Sequence, residues 1–304
     1  MSKNYLKEDQ NRRLEVLESL GVKEDDIKRD IEILRNWAEK EKHLPQDFIN
    51  DELFLERLLL NNKFRIEQSK IKYDNYFTMK AEYNFFYQGI EKVIPSSIPV
   101  VKFPLRKLTN EGKRVILICV SNHGQTVGAD FEECLKFQVA VSEIMNKYSF
   151  TDSRIAIIDV YGLKSGFFKN FDVSMLHKHL KLIRNCYSGR VAAIHMVNLT
   201  NFANLLLGGI KMIFKDVASK IKVHENLESL HREVPRAILP KDYGGDDIPV
   251  AEYLKIWNDI IKEEEIFLKN LRYQVADESL RIGFSNLKSD EFGVDGTFKQ
   301  LNID

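Results

Sequence analysis

The chain has 304 residues, 44% of them hydrophobic and 30% charged, and its 45 Lys and Arg residues balance its 45 Asp and Glu residues. These values indicate a folded globular protein with a sizeable core, and the zero net charge gives no overall attraction to nucleic acid or to an anionic membrane. No stretch reaches the roughly 18–20 apolar residues that a membrane-spanning helix needs, and the first ten residues lack the apolar core of a signal peptide.

The first ninety residues carry a helical pattern in four successive segments. In the second segment, Ile27, Ile31, Leu34 and Ala38 recur at spacings of three and four, which places them on one face of a helix. We therefore predict an N-terminal helical bundle in a domain spanning 1–92. Its helices are expected at 11–20, 25–42, 51–64 and 66–86.

A proline-rich connector, with Pro95, Pro99 and Pro104, separates this domain from a segment of different character. Beyond it, short runs rich in Ile and Val alternate with helical patterns. Continuous apolar runs are typical of strands buried on both faces, and strands that alternate with helices predict a mainly parallel sheet with crossover helices. We predict this α/β domain over 93–250, with strands at 114–120, 154–162, 191–198 and 220–226 and helices at 131–147, 173–187 and 201–214.

The segment NFANLLLGGIKMIF, residues 201–214, is apolar around nearly its whole circumference, whereas a surface helix has one apolar face. It is too short to span a membrane. Gly208 and Gly209 each weaken a helix by roughly 1 kcal/mol relative to Ala. Two interpretations are open: a buried packing helix with a close contact at the glycines, or a helix that meets two apolar environments in turn.

The remaining part, 251–304, begins with an amphipathic helical pattern over 251–281. Its last twenty residues are mixed in character and predict a strap over the surface. We interpret this part as a C-terminal helical extension.

No catalytic or metal-binding motif stands out in the sequence. The chain lacks a phosphate-binding glycine loop and a nucleophile elbow. His177 and His179 point in different directions on a helix and are poorly placed to share a metal. His195 lies inside an apolar strand and is expected to be a hydrogen-bonded core residue, and Asp159 ends a strand and is expected to cap a loop. We predict no enzyme activity, no catalytic residues, no metal and no cofactor.

Cysteine usage indicates the compartment. Cys119, Cys134 and Cys186 are widely spaced, odd in number and form no CxxC pair. This pattern favours buried free thiols in a reducing environment. We therefore expect a cytoplasmic protein.

Four segments, taken in order, resemble the CRAL-TRIO lipid-binding family. Ser188 and Thr200 differ from the family pattern, which usually has proline at both positions. We therefore expect looser turns on either side of strand 191–198. The tail FGVDGTFKQLNID is similar to arthropod members. The segments are LRNWAEKEKHLP with the following helices up to Phe77, IIDVYGL (157–163), AAIHMVNLTNF (192–202), and KIKVHENLESLHREVPRAILPKDYGGD (220–246).

The resemblance implies a cavity between the sheet and a mobile gate helix, which holds one apolar molecule. Segment 201–214 falls on that gate helix, and the glycine pair would be its hinge. Its inner face would line the cavity when closed and enter the lipid interface when open, where burial is again favourable by about 25 cal/mol per Å². The gate residues are Phe202, Ala203, Leu206, Leu207, Ile210 and Phe214.

The resemblance also implies the residues that line the cavity. Alternation along strand 191–198 places Ala192, Ile194 and Met196 on one face, and the family places Ile194 on the cavity side. Polar atoms of Gln138, Ser142 and Tyr187 would orient the ligand. The full set is Leu135, Gln138, Val139, Ser142, Ile158, Phe171, Leu182, Ile183, Tyr187, Ala192, Ile194 and Met196.

Some family members also hold a phosphoinositide head group in a basic cleft. Of the matching positions, Arg190 and Lys220 keep a positive charge, whereas Asn62, Ala192 and the position at Asp216 or Val217 do not. Two cations predict weak, salt-sensitive binding at this cleft.

Two functional hypotheses follow from the resemblance. The first is a cytosolic carrier that moves a retinoid, tocopherol, carotenoid or phospholipid between membranes or to an enzyme, with transient membrane contact and no nucleic-acid partner. The second is a membrane-recruited adaptor, or phosphoinositide sensor, in which the lipid controls binding of a protein partner without net transfer.

Overall fold

The computed structural model of the protein describes residues 13–120, 130–151, 153–161, 171–187, 189–200, 204, 207–208, 211 and 218–283. Among these residues, no helix combines the length and the apolar character that crossing a membrane requires.

The N-terminal part is helical, as predicted. A cluster of aromatic rings joins these helices, and Phe54, Tyr73 and Phe77 lie at its centre with ring centroids 4.9–6.2 Å apart. Asp51 begins the third helix by accepting a hydrogen bond from the Phe54 amide at 2.9 Å. The four helices are α1 Arg13–Leu20, α2 Glu24–Ala38, α3 Glu52–Asn61 and α4 Ile66–Glu82.

A five-stranded sheet follows, with the strands in the order β1-β2-β3-β4-β5. Strand β1 is antiparallel to β2, and the remaining pairs are parallel. The mainly parallel α/β architecture predicted from the sequence is confirmed. The strands are β1 Val100–Leu108, β2 Arg114–Val120, β3 Ser153–Asp159, β4 Arg190–Val197 and β5 Ile221–Val223.

Strand β1 includes Pro104, which the sequence predicted to lie in a proline-rich connector, so that interpretation is wrong from Val100 onwards. Pro104 lies within the strand and faces Ile116 of β2. Proline is tolerated there because β1 is an edge strand, so the missing amide interrupts no second ladder. The register shifts between Pro104 and Leu108, where the strand becomes irregular.

Helices cover both faces of the sheet. Helices α5 (Phe131–Tyr148) and α6 (Val173–Cys186) follow β2 and β3 along the chain. They begin at the side-chain caps Asp130 and Asp172. The short helix α7 (Leu227–His231) follows β5.

The predicted C-terminal helix is two helices, α8 (Val250–Glu263) and α9 (Glu265–Asn270), followed by 3₁₀ turns. Glu264 separates them, and its carboxylate accepts hydrogen bonds from Lys147 Nζ at 2.7 Å and Tyr148 Oη at 2.6 Å. This tertiary contact explains a break that helical periodicity does not show. Helix α8 packs against β1 of the sheet, where the Tyr253 ring stacks on the Phe103 ring with centroids 4.8 Å apart.

The end of the described chain lies against the N-terminal helices. The Ala276 amide donates to the Phe77 carbonyl at 3.1 Å, and the Asp277 amide donates to the His43 carbonyl at 2.8 Å. Arg281 forms a two-pronged ion pair with Asp74 of α4, with nitrogen–oxygen distances of 2.8 and 2.6 Å. We call residues 276–281 the C-terminal strap; the strap that the sequence predicts over the last twenty residues lies outside the described residues.

Candidate ligand cavity

One face of the sheet encloses an apolar cavity of about 200 Å³ beneath α5 and α6. This volume lies below the roughly 300–1,000 Å³ of a pocket for a drug-sized ligand. The cavity as it stands therefore suits a thin ligand, and a bulkier one requires its walls to part. Its lining is Val100, Ile118, Val120, Phe131, Cys134, Leu135, Gln138, Ile158, Asp159, Val160, Phe171, Leu176, Ile194, Met196, Leu207 and Ile221.

Strand alternation brings these side chains together. Ile118 of β2 lies opposite Ile158 of β3, and Ile158 lies opposite Met196 of β4. Side chains of alternate residues point to the same face of a sheet, so successive strands supply one continuous apolar floor. On the helical side, Leu135 and Gln138 are three residues apart on α5 and share one face of that helix.

Among the described lining residues, Asp159 is the charged side chain, and both of its oxygens accept hydrogen bonds. Oδ1 accepts from the Tyr161 amide and from Asn198 Nδ2, both at 2.9 Å, and Oδ2 accepts from Tyr243 Oη at 2.8 Å. The expectation that Asp159 caps a loop is confirmed. Burial, together with Cys119 and Asp159, raises the pKa of Tyr243, so its hydroxyl remains a donor.

The structure places part of the predicted cavity set in this lining and part elsewhere. Those in the lining are Leu135, Gln138, Ile158, Phe171, Ile194 and Met196, together with Leu207 of the predicted gate helix. Those absent from it are Val139, Ser142, Leu182, Ile183, Tyr187 and Ala192. Val139 and Leu182 are fully buried in the hydrophobic core, and Ile183 packs against it.

Ala192 lies on the other side of the sheet because β4 is irregular at this point. Arg154 of β3 lies opposite Val191, but the next residue, Ile155, lies opposite Ala193, so Ala192 is an extra residue in β4. Such a bulge breaks the alternation. The inference that Ala192 shares a face with Ile194 is therefore wrong.

Tyr187 belongs to a buried polar network. Its hydroxyl donates to Glu143 Oε1 at 2.9 Å and lies 3.2 Å from the Tyr87 hydroxyl. Tyr76 Oη donates to Glu143 Oε2 at 2.7 Å. Lys80 completes the cluster, with Nζ 3.4 Å from Tyr76 Oη. This network joins α4 to α5.

Ser142 contacts a residue that the sequence analysis did not identify. Lys102 of β1 is 7% exposed and donates from Nζ to Ser142 Oγ at 2.6 Å and to the Gln138 carbonyl at 3.3 Å. Burial, aided by the charge of Arg154, lowers the pKa of Lys102 to about 7. The signal was present, because one lysine interrupts the apolar run VVKFPL.

Most of the predicted gate lies outside the described residues, namely Phe202, Ala203, Leu206, Ile210 and Phe214. Asn204, Leu207, Gly208 and Lys211 are described and are helical. Leu207 is 5% exposed, whereas Asn204 is exposed. A side chain added at Gly208 would meet no described atom within 4 Å, so this glycine shows no close packing contact.

The other side of the sheet carries a polar pocket of about 360 Å³, lined in part by Lys113, His195 and Arg232. His195 Nδ1 lies 2.8 Å from His224 Nε2. The expectation of a hydrogen-bonded core histidine at 195 is therefore confirmed. Burial and the charge of His224 lower the pKa of His195 to about 4.

The two proposed head-group cations differ in their surroundings. Lys220 Nζ donates to the Val191 carbonyl at 2.7 Å, and Arg190 is exposed.

Within the described ranges, no three His, Cys, Asp or Glu side chains converge as a metal site requires. The three cysteines are buried and free, as predicted.

Residues 100–245, from the first strand to the glycine pair after Tyr243, match the model of the CRAL/TRIO domain. The chain contains a CRAL/TRIO domain. Proteins with this domain generally bind and transfer lipophilic molecules rather than act as enzymes. The family resemblance seen in the sequence is confirmed.

Curated relatives extend the comparison. The proteins called alpha-tocopherol transfer protein-like from Homo sapiens and Pongo abelii are each 22% identical to this chain over 227 residues, which cover 71% of the chain and 65% of the relative. The match therefore spans about two thirds of the relatives' length. The Mus musculus protein of that name is 28% identical over 120 residues, 38% of this chain and 34% of its own. The crystal structure of Sfh5 aligns with 80% of this chain and 98% of its own at 13% identity and a TM-score of 0.43.

Proposed function

We propose that this protein binds one lipophilic molecule in the cavity beneath α5 and α6 and carries it between membranes. The observation that carries the proposal is the composition of the cavity: among the described lining residues nearly all are aliphatic or aromatic, and the one charged side chain, Asp159, is already hydrogen-bonded. Dry apolar walls with a few placed polar groups are typical of small-molecule sites. The names of the curated relatives, alpha-tocopherol transfer protein-like, suggest the same class of ligand.

The segment 201–214 is proposed as the gate of this cavity. Leu207 supports this role because it is buried and lines the cavity, while Asn204 on the same helix is exposed. No described atom lies within 4 Å of a Cβ added at Gly208, so the described residues give no support to the rival interpretation, in which the glycines make a close packing contact; Gly209 lies outside the described residues. Opening would expose apolar area, which a lipid interface would cover at about 25 cal/mol per Å².

The proposal includes a location and a limit on head-group recognition. We propose a cytoplasmic protein that touches membranes peripherally. Phosphoinositide binding through Arg190 and Lys220 is proposed to be weak, because Lys220 already donates to the Val191 carbonyl and two cations, screened at physiological salt, supply little affinity.

Native mass spectrometry and solvent extraction of the purified chain test the binding function. We expect a co-purified lipid, or uptake of a retinoid, tocopherol or phospholipid added in vesicles. Transfer between labelled vesicles should be slowed by Leu207→Asp and unaffected by Asn204→Asp, which introduces the same charge on the exposed face. A chain that stays empty with every probe contradicts the proposal. Uptake without transfer favours the lipid-dependent adaptor.

A further inference from the structure

The cavity has a basic polar group beside its apolar wall. Val100 lines the cavity, and Lys102 follows it by two residues on β1, so both point to the same face of the sheet. Lys102 lies opposite Ile118, another lining residue, and donates to the carbonyl of Gln138, a third. Its ammonium group therefore lies next to the lining.

A second polar group reaches the same region from α6. His179 is three residues beyond the lining residue Leu176, so the two share one face of the helix. The ring is 3% exposed and packs edge-on against Phe86 with centroids 5.7 Å apart. Neither ring nitrogen has a hydrogen-bond partner in the part of the chain that the structure describes. Buried polar atoms are nearly always paired, so an unpaired ring points to a partner supplied from outside.

The charge around these groups is one-sided. Burial and the charge of Arg154 lower the pKa of Lys102. Burial and the charge of Lys102 lower the pKa of His179 to about 3. No acidic side chain among the described residues raises either value. An ammonium has three N–H donors, of which Ser142 and Gln138 use two. Among the described residues, Lys102 thus retains a donor and has no acidic partner.

We propose that Lys102 and His179 form the polar end of the cavity and bind the carboxylate of a monocarboxylic acid with an apolar tail. Lys102 supplies the counter-ion, neutral His179 donates one N–H, and the tail occupies the space between Ile118, Ile158 and Met196. This inference rests on the proposed function and specifies its ligand class. An alcohol of the same tail forms a hydrogen bond but no ion pair.

Binding of matched acids and alcohols tests the inference. Decanoic acid and 1-decanol, and all-trans-retinoic acid and all-trans-retinol, are titrated into the full chain at pH 7 by calorimetry. We expect the acid to bind roughly tenfold more tightly than its alcohol, since hydrogen bonds to charged groups are the stronger ones. Lys102→Met should abolish that preference and keep alcohol binding. Lys107→Met, on the exposed part of β1, should leave both affinities unchanged.

The pH profile of the wild-type chain gives a second readout that needs no variant to fold. Lys102 must be protonated to pair with the carboxylate, so acid affinity should fall by up to tenfold per pH unit as pH rises above about 7. Alcohol affinity should stay constant. Equal affinities, a flat acid profile, or an acid preference that survives in Lys102→Met would overturn the inference alone. Failure of both acids and alcohols to bind the wild-type chain would overturn the proposed function with it.

Discussion

The Tyr187 hydroxyl donates a 2.9 Å hydrogen bond to Glu143 Oε1, and both side chains are buried. The other oxygen of that carboxylate accepts from Tyr76 of α4 at 2.7 Å. One carboxylate on α5 therefore satisfies two hydroxyls that come from different parts of the chain. This contact gives Tyr187 a structural role, whereas the sequence analysis expected it to orient the ligand.

We predict that Glu143→Leu destabilises the protein by roughly 3–5 kcal/mol, because it leaves the buried Tyr76 and Tyr187 hydroxyls without their acceptor and removes the negative charge near the buried Lys80 ammonium. Tyr187→Phe removes one hydrogen bond to a charged group and should cost about 1.5–3 kcal/mol. Urea unfolding measures both. If Tyr187→Phe alters ligand affinity and leaves stability unchanged, Tyr187 acts on the ligand instead.

The cavity can be filled from α6. Leu176→Phe adds apolar volume to the lining, so we expect ligand affinity to fall at least several-fold while stability changes by less than about 1.5 kcal/mol, since the cavity has room for the ring. Val173→Phe makes a related enlargement on the same helix at a position that is 62% exposed, and it should leave ligand affinity unchanged. Equal affinity in Leu176→Phe and wild type would show that the ligand binds elsewhere.

Stability should fall in mild acid because of the histidine pair on the polar side of the sheet. Burial lowers the pKa of both His195 and His224 in the folded chain, that of His195 to about 4, whereas an unfolded histidine titrates near 6.5. As pH falls below about 6.5, the two histidines bind protons in the unfolded chain before they do so in the folded chain. Their contribution to stability is therefore complete above about pH 6.5 and is lost as pH falls towards 4. Over that range each histidine changes the unfolding equilibrium constant by up to tenfold per pH unit.

Urea unfolding between pH 7 and pH 4 measures this dependence. His195→Asn should reduce the slope of the unfolding free energy against pH by up to the equivalent of one proton, whatever its effect on stability at pH 7. His177→Asn, at an exposed position, should keep the wild-type slope. An unchanged slope in His195→Asn would remove this histidine from the explanation.

The C-terminal strap is predicted to depend on Arg281. Its two-pronged pair with Asp74 is largely buried, with the side chains 8% and 13% exposed. Arg281→Ala removes charge-assisted hydrogen bonds and should cost roughly 1.5–3 kcal/mol. It should also speed hydrogen exchange at the Ala276 and Asp277 amides, which bond to α4 and to the loop after α2. Lys269→Ala, an equal loss of charge at an exposed position, should change neither, and identical exchange in both variants would contradict this role.

The sequence by itself determined the class of fold and the family. Strand β2 coincides with the predicted run 114–120, because a continuous stretch of Val, Ile and Leu is stable only where both faces are covered. Helices α2 and α4 follow from local periodicity and lie close to their predicted ranges. The free, buried cysteines also follow from composition and spacing. These features depend on residues near one another in the chain.

Tertiary structure decided which face each side chain meets and what it touches there. Pro104 lies in a strand because β1 is at the edge of the sheet, and the bulge at Ala192 comes from pairing with β3. Lys102 donates to Ser142, forty residues further along the chain, and burial lowers the pKa of its ammonium group. Burial and long-range pairing set the charge and orientation of such groups, and no local pattern records them.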